Sequence, residues 1–268
     1  MIGTYRALLT RALGRLASER VALIATLIAI VALALGASRV AVILASLSGE
    51  EPDRLAATLR SAGWEVGSSF FDVMLPILAI LMGLTFLNRD RTAGTVFGVL
   101  ARPVSRTSVF LSGWAATALL VAALDFLRSG LLIAGTAWIE KRLDPLHLLG
   151  VVAGLTGTWL LLTAFFAASA LLRPGYAALA GFVGLYVSTV AFGEHSMLSD
   201  VGNGAIDAVG AMLPLGIQQS TIVRNALQGT TADFGPVVEV VLYRTSWIAL
   251  LLFVGAYAYS RRDLSPRD

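Results

Sequence analysis

Six long apolar runs divide this chain, and two of them carry no charged residue at all: Leu148–Leu172 and Tyr176–Gly193. The others are Val21–Leu44, Phe70–Leu87, Val109–Ala137 and Val237–Tyr259. A helix needs about 20 mostly apolar residues to cross a hydrocarbon layer about 30 Å thick. Each run meets or approaches that length. Only helices and closed barrels satisfy every backbone polar group in lipid, and apolar runs of this length are helical. The expected fold class is therefore an all-α membrane protein of six transmembrane helices in a single domain over residues 1–268.

Composition agrees. Apolar residues make up 57% of the chain and charged residues 14%, against about 25% charge in ordinary soluble domains. Arg6, Arg11, Arg15 and Arg20 precede the first run and small residues follow it at 35–38, as in a secretion signal. The basic segment is long and further runs follow, so this run reads as a retained span. There are no cysteines, which excludes disulfides, thiolate metal sites and cysteine nucleophiles. The net charge of +3 includes no basic block or aromatic-interleaved stripe for nucleic acid. With both ends inside, twelve basic residues fall on the inner side and seven on the outer side or outer span ends. The positive-inside rule thus favours cytoplasmic termini in a cell membrane.

Outside the runs, two segments have a pattern of their own. Ile2, Tyr5, Leu9, Leu13 and Leu16 recur at helical steps, with Arg11 and Arg15 opposite. This predicts an interfacial helix over residues 1–20, or one packed on a partner. The segment 194–236 is long for a loop and only moderately polar. It is expected to form short outer helices that either dip back toward the bilayer or rest on its surface.

The segment from Asn88 to Gly113 joins the second and third runs. Gly94-Thr95 loosens the chain, and Val96, Val99 and Leu100 give one apolar face. Pro103 ends that helix by disfavouring the helical conformation of the residue before it. Ser105 can cap the next helix. A short inner helix parallel to the membrane results, shaped for docking to a protein or to lipid headgroups.

This segment resembles the ABC-2 type transporter permease family. The residues that carry the likeness are Asp90, Gly94, Thr95, Leu100, Pro103, Val104, Ser105 and Arg106. Leu213-Pro214-Leu215, Leu227-Gln228-Gly229 and the closing Ser260-Arg261-Arg262-Asp263-Leu264 are similar to the family's chain end. The family commonly has Glu where Asp90 stands, and Lys where Trp114 stands; this leaves the subfamily and substrate open. The resemblance implies a permease subunit of a bacterial or archaeal exporter that hydrolyses nothing and binds no cofactor itself. A separate cytoplasmic ATP-binding cassette ATPase would hold ATP and Mg. A second permease copy or homologue would complete the pathway in the membrane lipids, with no nucleic-acid partner. The Asp90–Arg106 segment would be the coupling helix that the ATPase pushes.

Charges inside the runs are the other candidate functional groups. Asp72 lies in the second run; Asp125 and Arg128 lie three apart in the third, on one helix face. They line a pathway or dimer seam, or they form an ion pair that holds the bundle. Arg244 has Glu239, Asp125 and Asp72 as possible partners. His147 and His195 read as interfacial polar residues, and Trp64, Trp138 and Trp247 as an outer aromatic belt. The glycines of the fourth and fifth runs read mainly as close-packing positions. No Gly-rich Lys-Ser/Thr phosphate loop is present. Two other functions compete with the permease: a secondary transporter or channel without an ATPase, and a membrane enzyme or assembly scaffold.

Overall fold

The computed structural model describes residues 2–17, 77, 79–81, 83, 105–140, 145–172, 176–177, 179–180, 217–228 and 233–261. Among these, all regular structure is helical and no strand occurs. Five helices are described: α1 (Ile2–Ala17), α2 (Arg106–Glu140), α3 (Pro145–Leu171), α4 (Ile217–Gln228) and α5 (Gly235–Arg261). Three of them, α2 over Arg106–Phe126, α3 and α5, are long and apolar enough to cross a membrane. The 27 residues of α3 and of α5 each extend about 40 Å at 1.5 Å per residue, more than the hydrocarbon thickness. The runs expected at Val21–Leu44, Phe70–Leu87 and Tyr176–Gly193 fall wholly or mostly outside the described residues.

Local chemistry sets the helix starts. Ser105 Oγ accepts the Ser108 amide at 3.1 Å, and the Ser105 carbonyl accepts the Val109 amide at 3.2 Å. This is the expected cap of α2. A proline opens α3 and another stands second in α5, where the missing amide hydrogen costs nothing. Asp233 accepts the Gly235 amide at 2.9 Å and so fastens the entry to α5.

The bundle is built around α3. It packs on α2, α4 and α5, while α1 packs on α2. Burial follows: α3 is mostly enclosed, whereas α5 buries one stripe, Val237, Val240, Arg244, Ile248, Gly255 and Tyr259. The opposite face of α5 presents Leu242, Leu250 and Phe253, the last 71% exposed. An apolar face of this extent on a 27-residue helix is unsuited to water and suited to lipid. The protein is membrane-embedded.

At one end of the bundle an aromatic cluster joins three helices. Phe110 of α2 meets Phe166 of α3 edge-on at 5.8 Å between ring centroids, and Tyr259 of α5 at 5.4 Å. Gly255 allows this approach. A Cβ there would stand 2.9 Å from Phe110 Cζ and 3.0 Å from Ala167 Cα. The α3–α5 contact is thus as close as backbones permit, the usual device where lipid supplies no hydrophobic drive between helices.

Residues predicted for the interfacial helix form α1. Leu9, Leu13 and Leu8 are half-buried, Ala12 is buried, and Arg6 and Arg11 are exposed. The apolar stripe therefore turns toward neighbouring helices, with α2 as a packing partner.

Candidate functional site

Two networks of polar groups cross between the membrane helices. The first joins α2 to α3. Trp114 Nε1 donates to Thr163 Oγ1 at 2.9 Å, and Thr163 Oγ1 donates to the Trp159 carbonyl at 2.6 Å. Trp159 Nε1 then donates back to the Ala118 carbonyl at 3.0 Å. Both indole donors are satisfied inside the bundle, as apolar surroundings require. The Trp114 ring packs against the aromatic core. That a tryptophan here serves as a strap was not legible from its type alone, because its acceptor lies 49 residues away.

The second centres on Arg244, in the buried stripe of α5 and only 3% exposed. Its Nη1 donates to the Ala153 carbonyl of α3 at 2.8 Å. Thr156 Oγ1 donates to the same carbonyl at 2.7 Å. The surrounding α3 residues are small, with Gly150, Gly154 and Gly157 on the adjacent turns, so the guanidinium can reach the α3 backbone. A lone charge in mid-membrane costs about 2.5–3.5 kcal/mol on insertion scales, and a charge-assisted bond to a carbonyl offsets part of that. Glu239, one of the three partners considered for Arg244, is exposed and lies on another face of α5.

Asp125 is buried on α2, 4% exposed. It continues the α2 stripe that faces α3: Phe110, Trp114, Ala118 and Val121. Four residues further on, Ser129 Oγ is buried without a hydrogen-bond partner among the described residues. Arg128 lies on the same helix, with its side chain outside the described residues. Ser105 and Arg106 stand at the start of α2. Asp72, Asp90, Gly94, Thr95, Leu100 and Pro103 lie outside the described residues.

α4 supplies the third wall. Val223 and Ala226 pack with Ile133, Leu146, Val151, Ala153, Val237 and Val240. Val223 Cγ1 lies 4.0 Å from where a Gly154 Cβ would stand. Gly154 is nine residues beyond Pro145, about 13 Å along α3. α4 therefore runs beside the membrane helices.

His147, read as an interfacial polar residue, stands in the first turn of α3 and is 3% exposed, beside the buried Leu146. One placement differs from expectation. Trp247 does not sit at a helix end. It is the thirteenth of 27 residues in α5, half-buried, with its ring edge-on to Tyr243 at 6.5 Å. The run Val237–Tyr259 already has Trp247 near its middle, so the bounds of the run and not the tertiary structure exclude it from a boundary belt.

The fold and these networks define a membrane-embedded helical protein with buried charges between its spans. The chain matches no protein-family model and no curated protein.

Proposed function

We propose that this chain is the permease subunit of an ABC transporter, an exporter of amphipathic or lipid-like cargo powered by a separate cytoplasmic ATPase. In this reading the chain crosses the plasma or inner membrane six times, with both termini in the cytoplasm. Asp90–Arg106 is its coupling helix, and a second permease copy or homologue completes the pathway. ATP binding closes the ATPases, moves the coupling helix and shifts the bundle between two access states.

The observation that carries the proposal is the junction at Pro103-Val104-Ser105-Arg106. The family-like motif ends where a capped, membrane-length helix starts. A force on the motif would pass directly into α2, and through the Trp114–Thr163 strap into α3. The course of α4 beside α3 supports an outer segment that dips back between spans.

The test is purification of the tagged chain from its native membrane, followed by reconstitution with any ATPase that accompanies it. The expected result is a stoichiometric ATPase whose turnover is coupled to the chain. Asp90→Lys, Arg106→Glu and Gly94→Pro should each uncouple it without loss of folded yield. Normal coupling in all three overturns the assignment of this loop. Flux driven by an ion gradient, with no ATPase present, favours the secondary transporter or channel.

A further inference from the structure

Among the described residues, the buried apolar side chains sort by height into two separate clusters. On α2 and α3, Phe110 meets Phe166, Trp114 meets Thr163, and Ala118 meets Trp159, so these helices run antiparallel. On α3 and α5, Ala153 meets Arg244 and Ala167 meets Gly255, so these run parallel. In that register one cluster fills the end where α2 starts. It takes α2 up to Ala122, α3 from Leu155 onward, and Ala256 and Tyr259 of α5. The other fills the opposite end. It takes Ile133 of α2, α3 up to Ala153, Val237 and Val240 of α5, and Val223 and Ala226 of α4. α3 is the spine of both and passes from one to the other across Gly154.

The helix ladder is weakest at the same crossing. A helix reserves each carbonyl for the amide four residues on. The Ala153 carbonyl also accepts Arg244 Nη1 at 2.8 Å and Thr156 Oγ1 at 2.7 Å. Side-chain donors on a ladder carbonyl loosen and bend a helix, and glycine is a poor helix former. Single hydroxyl bonds of this kind, such as Ser112 to Val109, occur along the bundle. The Ala153 carbonyl takes two side-chain donors, at the boundary between the clusters. At that level α5 carries two hydroxyl bonds in succession, Thr245 to the Val241 carbonyl and Ser246 to the Leu242 carbonyl. We infer that α3 bends at Ala153–Thr156, with α5 bending beside it at Val241–Ser246, and that the two clusters are rigid bodies joined by this hinge. Packed cores resist gradual deformation, so motion concentrates between them. Arg244 ties α5 to α3 at the pivot, so the two helices turn together. The Trp114–Thr163 strap stiffens one body, and α4 rides on the other. The hinge belongs to the bundle itself, whether an ATPase or an ion gradient supplies the drive.

Spin-label distances on the full chain in nanodiscs test this. The chain has no cysteine, so introduced cysteines are labelled at chosen positions only. Leu148 and Leu171 are exposed on α3 and stand in different bodies, whereas Leu171 and Phe253 stand in the same one. The Leu148→Cys/Leu171→Cys distance distribution should be broader than that of Leu171→Cys/Phe253→Cys, and Gly154→Ala should narrow it toward that control. Alanine fits at this position, because the nearest atom to its Cβ would be Val223 Cγ1 at 4.0 Å. The variant should therefore keep the native melting temperature. Hydrogen exchange on the unaltered chain is the second readout. The amides of Gly154–Thr158 should exchange about tenfold faster than those of Phe165–Ala170, as local opening requires. A Leu148–Leu171 distribution as narrow as the control, or uniform exchange along α3, overturns the hinge. A broad distribution that Gly154→Ala leaves unchanged overturns its placement at this level.

Discussion

Gly255 shows how one missing methyl group decides a helix contact. Any side chain there meets the Ala167 backbone at 3.0 Å, and backbone cannot step aside as a flexible side chain can. Gly255→Ala should destabilise the purified protein by about 1–3 kcal/mol, the usual range for overpacking. Thermal unfolding in detergent measures it; an unchanged melting temperature would mean that α5 is not pressed against α3. Gly14 has nothing within 4 Å of its Cβ position, so Gly14→Ala is the matched control. The glycines of this chain are thus not equivalent. Their count of 26 shows close packing in general, whereas the neighbour of each one decides its role. Arg244 carries the same lesson. Its burial contradicts what an arginine ordinarily does, and the carbonyl that receives it is 91 residues away.

Pairs of elements are held by a few directional bonds set in apolar seams. The strap from Trp114 through Thr163 and Trp159 to Ala118 fixes α2 against α3 in rotation and in register. Thr163→Val keeps the shape and removes the hydroxyl. It should cost about 1 kcal/mol, a typical net hydrogen-bond contribution, in an unfolding titration. Trp114→Phe added to it should cost little more in hydrogen bonding, because the indole donor is then also gone. A loss of several kcal/mol from Thr163→Val would mean that the hydroxyl supports more than this strap. α1 and α4 are legible to different degrees. The stripe of α1 was readable from its three- and four-residue steps, and Arg11 lies on the exposed side as that stripe demands. The seat of α4 was not readable, because its apolar residues suit either a surface or a groove until Val223 is seen beside Gly154.

The whole molecule is organised by solvent. α3 sits inside with neighbours on several sides, and α5 turns Leu242, Leu250 and Phe253 outward. The chain should remain in the membrane pellet after alkaline carbonate and be released only by detergent. Recovery in the carbonate supernatant would contradict an embedded bundle. The capped start of α2, the strap and the buried Asp125 lie in sequence along α2, so a push at Arg106 would reach Asp125 along one helix. This is the mechanical sense in which the proposed coupling helix acts on the spans.

Membrane residence, helicity and the positions of α2, α3 and α5 were decided by local sequence. Apolar length against bilayer thickness is a one-dimensional quantity, and Ser105 and the prolines mark helix starts within a few residues. Partnership was decided only in three dimensions. Neither spacing nor composition distinguishes Glu239 from a group on another helix as the neighbour of Arg244. Nor could they bury His147. Those outcomes depend on the rotation and register of each helix, which are set by small residues such as Gly255 and by the acceptors that distant helices present.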